Sequence, residues 1–252
     1  MNAYWMEAKC EFLKLARMRT YSVSTIMFPL MFYCFFGLAM GRQPLPGVGM
    51  PLARYALATY GAFAVIGATL YAFGVGVAVE RGLGWLEVKR ASPMPPGAYF
   101  LAKTVVSLAF GAIVVALLFT MGATFGGVRM PASQWLLMGG ALVSGGLPFC
   151  ALGLAIGSFA GPNSAPATVN LIYLPMAFCA GLWLPFEFLP QAIHQAAPFL
   201  PAYHFSQIAL AVLGAPVHGA VLGHVGSLVA FTAIFAGIAW IGQAREREKV
   251  YG

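Results

Sequence analysis

The chain has 252 residues, 60% of them hydrophobic and 8% charged, with 14 Lys and Arg against 7 acidic residues and a net charge of +7. A typical soluble domain is about 25% charged, so a water-facing surface of the ordinary kind is excluded. Apolar runs of bilayer-crossing length, about 20 residues each, recur instead, and residues 1–252 read as one all-α polytopic membrane domain with no soluble domain before, between or after the spans.

Residues 1–20 read as an amphipathic helix lying along the membrane surface. Tyr4, Trp5, Ala8, Phe12 and Leu15 share one face at helical spacing, and Glu7, Glu11, Lys14 and Arg17 share the opposite face. A polar start carrying both signs of charge does not match a cleavable signal peptide. Six spans follow, near 21–41, 54–79, 104–127, 133–159, 166–184 and 219–242.

Between the second and third spans lies a charged island, residues 80–96, stopped by prolines. Trp85, Leu86, Glu87, Val88, Lys89 and Arg90 are predicted to form a short helix, which Ser92 before Pro93 ends. Glu87 and Arg90, three residues apart, are spaced to pair on it. A short inner turn at Asn163 and Ser164 precedes the fifth span, and Pro166 suits that span's first turn.

After the fifth span, Leu184-Pro185-Phe186-Glu187-Phe188-Leu189-Pro190 leads into two apolar pieces, about 190–197 and 201–213, each too short to cross. Non-helical backbone at membrane depth survives only under cover. Residues 185–213 are therefore expected to form a re-entrant hairpin dipping into the outer leaflet.

Basic residues orient the spans. With both termini in the cytoplasm, the inner segments carry Lys9, Lys14, Arg17, Arg19, Arg81, Lys89, Arg90, Lys103, Arg245, Arg247 and Lys249. The outer segments carry Arg42, Arg54 and Arg129, a ratio of eleven to three. Of the acids only Glu187 is not cytoplasmic. This topology and anionic lipid headgroups account for the net positive charge. The aromatics lie mostly in apolar runs, so no nucleic-acid partner is expected.

Sites of chemistry are sparse. Asp is absent, and neither a phosphate loop nor a dinucleotide turn occurs. Cys10, Cys34, Cys150 and Cys179 form no paired motif, and His194, His204, His218 and His224 have no metal-ligand spacing, so no metal site is expected. Glu187, near the membrane, is a candidate for substrate passage or hairpin position. The predicted span cores carry no ionisable residue apart from His224 and end residues such as Arg54. Ion-coupled carriers place such groups there, so the energy for transport is expected from outside the chain.

Three stretches together resemble the permease subunits of ABC-2-type (type V) ABC exporters, over essentially the whole length. They are Ala8-Lys9-Cys10-Glu11-Phe12-Leu13-Lys14-Leu15-Ala16-Arg17 leading into Phe28-Pro29-Leu30; Glu80-Arg81 and Gly84 with Ala91-Ser92-Pro93-Met94-Pro95; and Pro185 to Pro190 before Pro198-Phe199-Leu200-Pro201 and Tyr203-His204. Many relatives have an acid where this chain has Gly82.

The resemblance implies an interfacial helix bordering an ATPase, with Trp5, Phe12, Lys14 and Arg17 on it. It implies a coupling helix that docks on that ATPase, carrying Glu80, Arg81, Trp85, Leu86, Glu87, Lys89 and Arg90. An outer gate would contain Pro185, Phe186, Glu187, Phe188, Pro190, Pro201, Tyr203 and His204. It further implies two copies of a separate ATPase subunit binding ATP and Mg, and a second permease chain, identical or different. The expected activity is ATP-driven export of a hydrophobic or amphipathic substrate, drug, lipid or glycan-like, across a bacterial inner membrane, with no catalytic residue or cofactor on this chain. Two other readings compete: a membrane-embedded enzyme using Glu187, His194 and His204 at the outer face, and an ion-coupled carrier.

Overall fold

A computed structural model describes residues 3–39, 41, 48–95 and 97–251. Arg42 and Pro96 lie outside the described residues, as do the side chains of Arg90, Glu246, Arg247, Glu248 and Lys249. No β-strand occurs among the described residues.

The chain begins with α1 (Ala3–Arg17) and α2 (Arg19–Phe32), the latter continuing as a π-helical stretch, Tyr33–Leu38. Next come α3 (Leu52–Leu70), a second π-helical stretch (Tyr71–Val75) and α4 (Gly76–Gly82), which run on as one long helix. The short α5 (Trp85–Ala91) and the long α6 (Ala98–Thr124) follow. The next pair, α7 (Ala132–Ser144) and α8 (Leu147–Phe159), break only at a two-glycine turn. They precede α9 (Ala165–Cys179), α10 (Gln191–Ala196), α11 (Pro201–Val212) and α12 (Val221–Tyr251).

Five of these helices are long and apolar enough to cross a membrane: Tyr21–Leu38, Leu52–Gly82, Ala98–Thr124, Ala132–Phe159 and Val221–Arg245. The predicted fifth span, 166–184, has only 15 helical residues, Ala165–Cys179. At 1.5 Å per residue that is about 22 Å, short of a ~30 Å hydrocarbon core. Gly181 takes a left-handed φ of 72° just beyond it, which ends helical propagation.

The helix from Leu52 to Gly82 is the hub, with nearly every side chain buried. Close approach of α8 depends on Gly153 and Gly157, spaced four apart. A Cβ on Gly157 would lie 2.8 Å from the Phe73 carbonyl oxygen, and one on Gly153 would lie 2.8 Å from the Phe73 Cβ. Small residues at this spacing let two membrane helices meet backbone to backbone.

On another side of the hub, α9 runs antiparallel to it. Tyr71 donates to Asn170 Oδ1 at 2.5 Å, Tyr173 to the Phe63 carbonyl at 2.7 Å, and Tyr60 to the Trp183 carbonyl at 3.2 Å. As numbers rise along α9, its partners on the hub fall.

The two ends of the bundle differ. At one end, Gly242 of α12 abuts Ser158 and Phe159 at the end of α8, next to Arg81. At the other, Arg54 donates to Gln134 Oε1 and the Leu213 carbonyl, each at 3.1 Å. Of the predicted cytoplasmic charges, Glu11, Lys14, Glu80, Arg81, Lys89 and Lys103 meet at or beside the first end.

Candidate functional site

The charged end holds a buried ion cluster drawn from three helices. One turn apart on α1 stand Glu11 and Lys14, Glu80 is two residues from the end of α4, and Lys103 is in the second turn of α6. Lys103 donates to Glu11 Oε1 at 2.6 Å and to Glu80 Oε1 at 3.2 Å. Lys14 donates to Glu11 Oε2 at 2.5 Å and also to Glu80, and the Tyr99 hydroxyl donates to the second oxygen of Glu80. Lys103 is 0% exposed, Glu11 3% and Glu80 8%.

Two carboxylates and two ammoniums sum to zero. A lone buried ammonium costs several kcal/mol, which close opposite charges and hydrogen bonds offset. Burial disfavours the charged form of Lys14, but the Glu80 and Glu11 carboxylates outweigh it and raise its pKa above the ordinary lysine value.

Two expectations change here. Lys103, counted in the inner segment just before the predicted third span at 104, lies inside α6, where the paired carboxylates permit its burial. The charged face of α1 is not uniformly solvated either, because Glu11 turns inward to meet Lys103. The opposite, aromatic face is split. Leu15 is buried and Phe12 lies 5.4 Å from the Phe110 ring, whereas Trp5 is exposed. Arg17 is exposed too.

A second tie leads outward to α5. Lys89 donates to Glu7 Oε1 at 2.6 Å and sits 4.4 Å over the Tyr99 ring, a cation–π contact. Gly84, at φ 74°, makes the left-handed turn that starts α5, a conformation in which a Cβ is strained. Ser92 ends it in extended backbone, with its hydroxyl on the Lys89 carbonyl at 2.6 Å. Leu86 packs inward near Phe73 and Tyr99. Facing out are Leu83, Trp85 and Val88, 68%, 53% and 60% exposed, with Glu87 also exposed. Any pairing of Glu87 with Arg90 lies outside the described residues.

Arg81 turns away from this cluster. It donates to the Ser158 carbonyl and, at 2.6 Å, to the Ala160 carbonyl, so α4 is tied to the end of α8. Its neighbour Gly82 is forced by packing: an added Cβ would lie 2.2 Å from Pro162 Cγ. An acid there would collide with Pro162.

At the opposite end, Phe186 anchors the segment after α9. Buried, it stacks on His194 at 4.5 Å, and its carbonyl meets His194 Nε2 at 2.7 Å. Tyr203 lies 5.1 Å from the Phe186 ring. Pro185, Pro201 and Tyr203 are buried, and Glu187, Phe188 and Pro190 are exposed. His204 contacts His224 and the Pro198 carbonyl. Glu187, His194 and His204 are thus not brought into one constellation: the two imidazoles have separate partners.

Sequence reasoning named Lys14, Glu80 and Lys89 as site residues but missed Glu11, Tyr99 and Lys103. One signal was available: Glu80 and Lys103 are opposite charges flanking the loop between the second and third predicted spans.

Residues 2–213 match the sequence model of the family described as "ABC-2 type transporter". Over 205 residues, 81% of this chain and 83% of the relative, the sequence is 27% identical to a protein of Bacillus subtilis (strain 168) named "Putative transport permease YvfS".

Proposed function

The chain belongs to the ABC-2 type transporter family, a multi-pass membrane permease, and on that premise we propose that it drives export across a bacterial inner membrane, powered by a separate ATPase. Two ATPase subunits, each binding ATP and Mg, would dock on two permease chains, identical or related. The cargo class that fits so apolar a chain is hydrophobic or amphipathic: a drug, a lipid or a glycan-like molecule. No cofactor and no catalytic residue are assigned to this chain.

The observation that carries this reading is α5. One side of it is fastened to α1 and α6 through Lys89, Glu7 and Tyr99. The other presents Trp85 and Val88, with Leu83 exposed just before the helix, at the charged end of the molecule. A helix with exposed apolar side chains among charges fits a protein groove. Motion of a docked ATPase would reach the spans through the ion cluster, because Glu11, Glu80 and Lys103 join α1, α4 and α6.

Six crossings are part of the proposal, with both termini in the cytoplasm. The C-terminal ends of α8 and α12 lie together, which supports a return to the far side between residues 160 and 221 with α9 as the returning segment. The segment from Pro185 to Val212 then forms the outer hairpin, with Phe186, Tyr203 and His204 at its centre.

The test is reconstitution with a candidate ABC ATPase subunit from the same genome. Val88→Asp with Trp85→Ala should weaken ATPase binding by at least about tenfold, roughly 1.4 kcal/mol, while the permease still purifies as a folded chain. Unchanged ATPase binding and ATP-dependent export in that variant would sink the docking assignment.

A further inference from the structure

We propose that His204 and His224 form a proton-binding site in which one shared proton clasps α11 to α12. His204 Nε2 lies 2.8 Å from the Pro198 carbonyl oxygen, and His224 Nε2 lies 3.0 Å from the His218 carbonyl oxygen. A carbonyl only accepts, so both Nε2 atoms carry hydrogen. A neutral imidazole has one N–H, which leaves each Nδ1 with a lone pair. Yet the two Nδ1 atoms face each other at 2.8 Å.

Two lone pairs at that distance repel. One proton between them turns the contact into a charge-assisted hydrogen bond, and the pair then carries a single positive charge. A metal ion does not fit the gap. Two Zn–N bonds of about 2.0–2.1 Å at the tetrahedral angle would hold the nitrogens about 3.3 Å apart.

Both histidines are buried, which disfavours charge and so limits the pair to one shared proton, and the charge-assisted hydrogen bond between them offsets that cost. Aromatic rings border the pair: Tyr203 lies 5.5 Å from His204 and 5.9 Å from His224, both edge-to-face, and Phe231 lies 6.2 Å from His204. His218 meets the pair through its carbonyl, its own ring set against Phe186 at 5.5 Å. Most other titratable or charged groups on the elements packed around the pair are engaged elsewhere or exposed. Arg54 and Tyr60 on the hub bind Gln134, Leu213 and Trp183, His194 binds Phe186, Tyr173 binds Phe63, and Glu187 is exposed. Tyr55, also on the hub, and Cys150 on α8 are buried.

The clasp holds only with one proton. Deprotonation restores the facing lone pairs, and a second proton sets two N–H groups and two cations against each other. Contact between α11 and α12 should therefore be strongest in a pH window and loosen on both sides of it.

The decisive measurement is nitrogen NMR on the full chain in lipid nanodiscs, with 15N-labelled histidine rings. At pH 7 three of the pair's four ring nitrogens should be protonated, with the two Nδ1 atoms linked by coupling through the hydrogen bond. Two protonated nitrogens, or no coupling, would overturn the proposal. Hydrogen exchange along α11 should also accelerate by about tenfold on either side of the window, the scale of one charged hydrogen bond. His204→Gln should abolish that pH dependence. If the variant keeps the same pH profile, the clasp is not the cause. The labelled wild-type chain decides the question even if a variant fails to insert.

Discussion

At the scale of single residues, Lys103 decides most. It is fully buried, and its ammonium joins Glu11 of α1 directly to α6. Lys103→Met would leave two buried carboxylates against one ammonium, Lys14. Breaking a buried pair from one side costs about 3–5 kcal/mol because the remaining charge is uncompensated. We expect a large fall in thermal stability of the detergent-purified chain, and partial recovery in Lys103→Met with Glu11→Gln, which restores the balance. No recovery would mean that packing, not charge, explains the loss. Lys14 is part-exposed and should matter less. Its raised pKa means that its contribution is complete below the ordinary lysine pKa. That contribution is lost only as pH rises through the higher folded value. Lys14→Gln should therefore remove part of the unfolding seen in strong alkali, as read by tryptophan fluorescence against pH.

Elements were legible where a local pattern determines them. Hydropathy placed the five long helices, because a span must be apolar along its whole length, although α6 begins six residues before its predicted span and α12 runs nine residues past its own. Ser92 before Pro93 marked the end of α5, because proline disfavours helix in the residue before it. The first apolar run also reads directly as Tyr21–Leu38. The short α9 did not read as it is: Trp183 and Leu184 are as apolar as a span, and only the left-handed turn at Gly181 separates them from the helix. Nor did the ion cluster, since its members lie up to 92 residues apart and meet only once α1, α4 and α6 are packed. The Gly153 and Gly157 pair looked like any of 30 glycines until α8 met the π-helical stretch beside Phe73. Gly157→Ala places a methyl group against the Phe73 carbonyl, a backbone atom that cannot rotate away. Overpacking of this kind costs about 1–3 kcal/mol. The lost stability should appear in thermal unfolding, whereas Gly140→Ala, with open space around it, should change little.

For the whole molecule, the central question is the direction of travel between residues 160 and 221. The bundle has one end where charges gather and one where Arg54, Gln134 and the Leu213 carbonyl meet. The hub enters at the Arg54 end and leaves at the Arg81 end, and α9 passes back along it from Asn170 to Trp183. If α9 crosses, Ser133 and Glu187 share one face of the membrane and Glu87 and Asn163 share the other. Single cysteines at these four exposed positions, in a chain whose native Cys10, Cys34, Cys150 and Cys179 are replaced by serine, separate the alternatives. With six crossings, an impermeant maleimide added to intact cells labels the Ser133→Cys and Glu187→Cys chains and spares the other two. If α9 only dips and returns, Glu187→Cys is spared with Asn163→Cys, and the outer hairpin loses its place. The positive-inside count predicts which pair is labelled, since eleven of fourteen basic residues fall on the Glu87 side. Labelling of Glu87→Cys and Asn163→Cys instead would invert the molecule and move α5 away from any cytoplasmic ATPase.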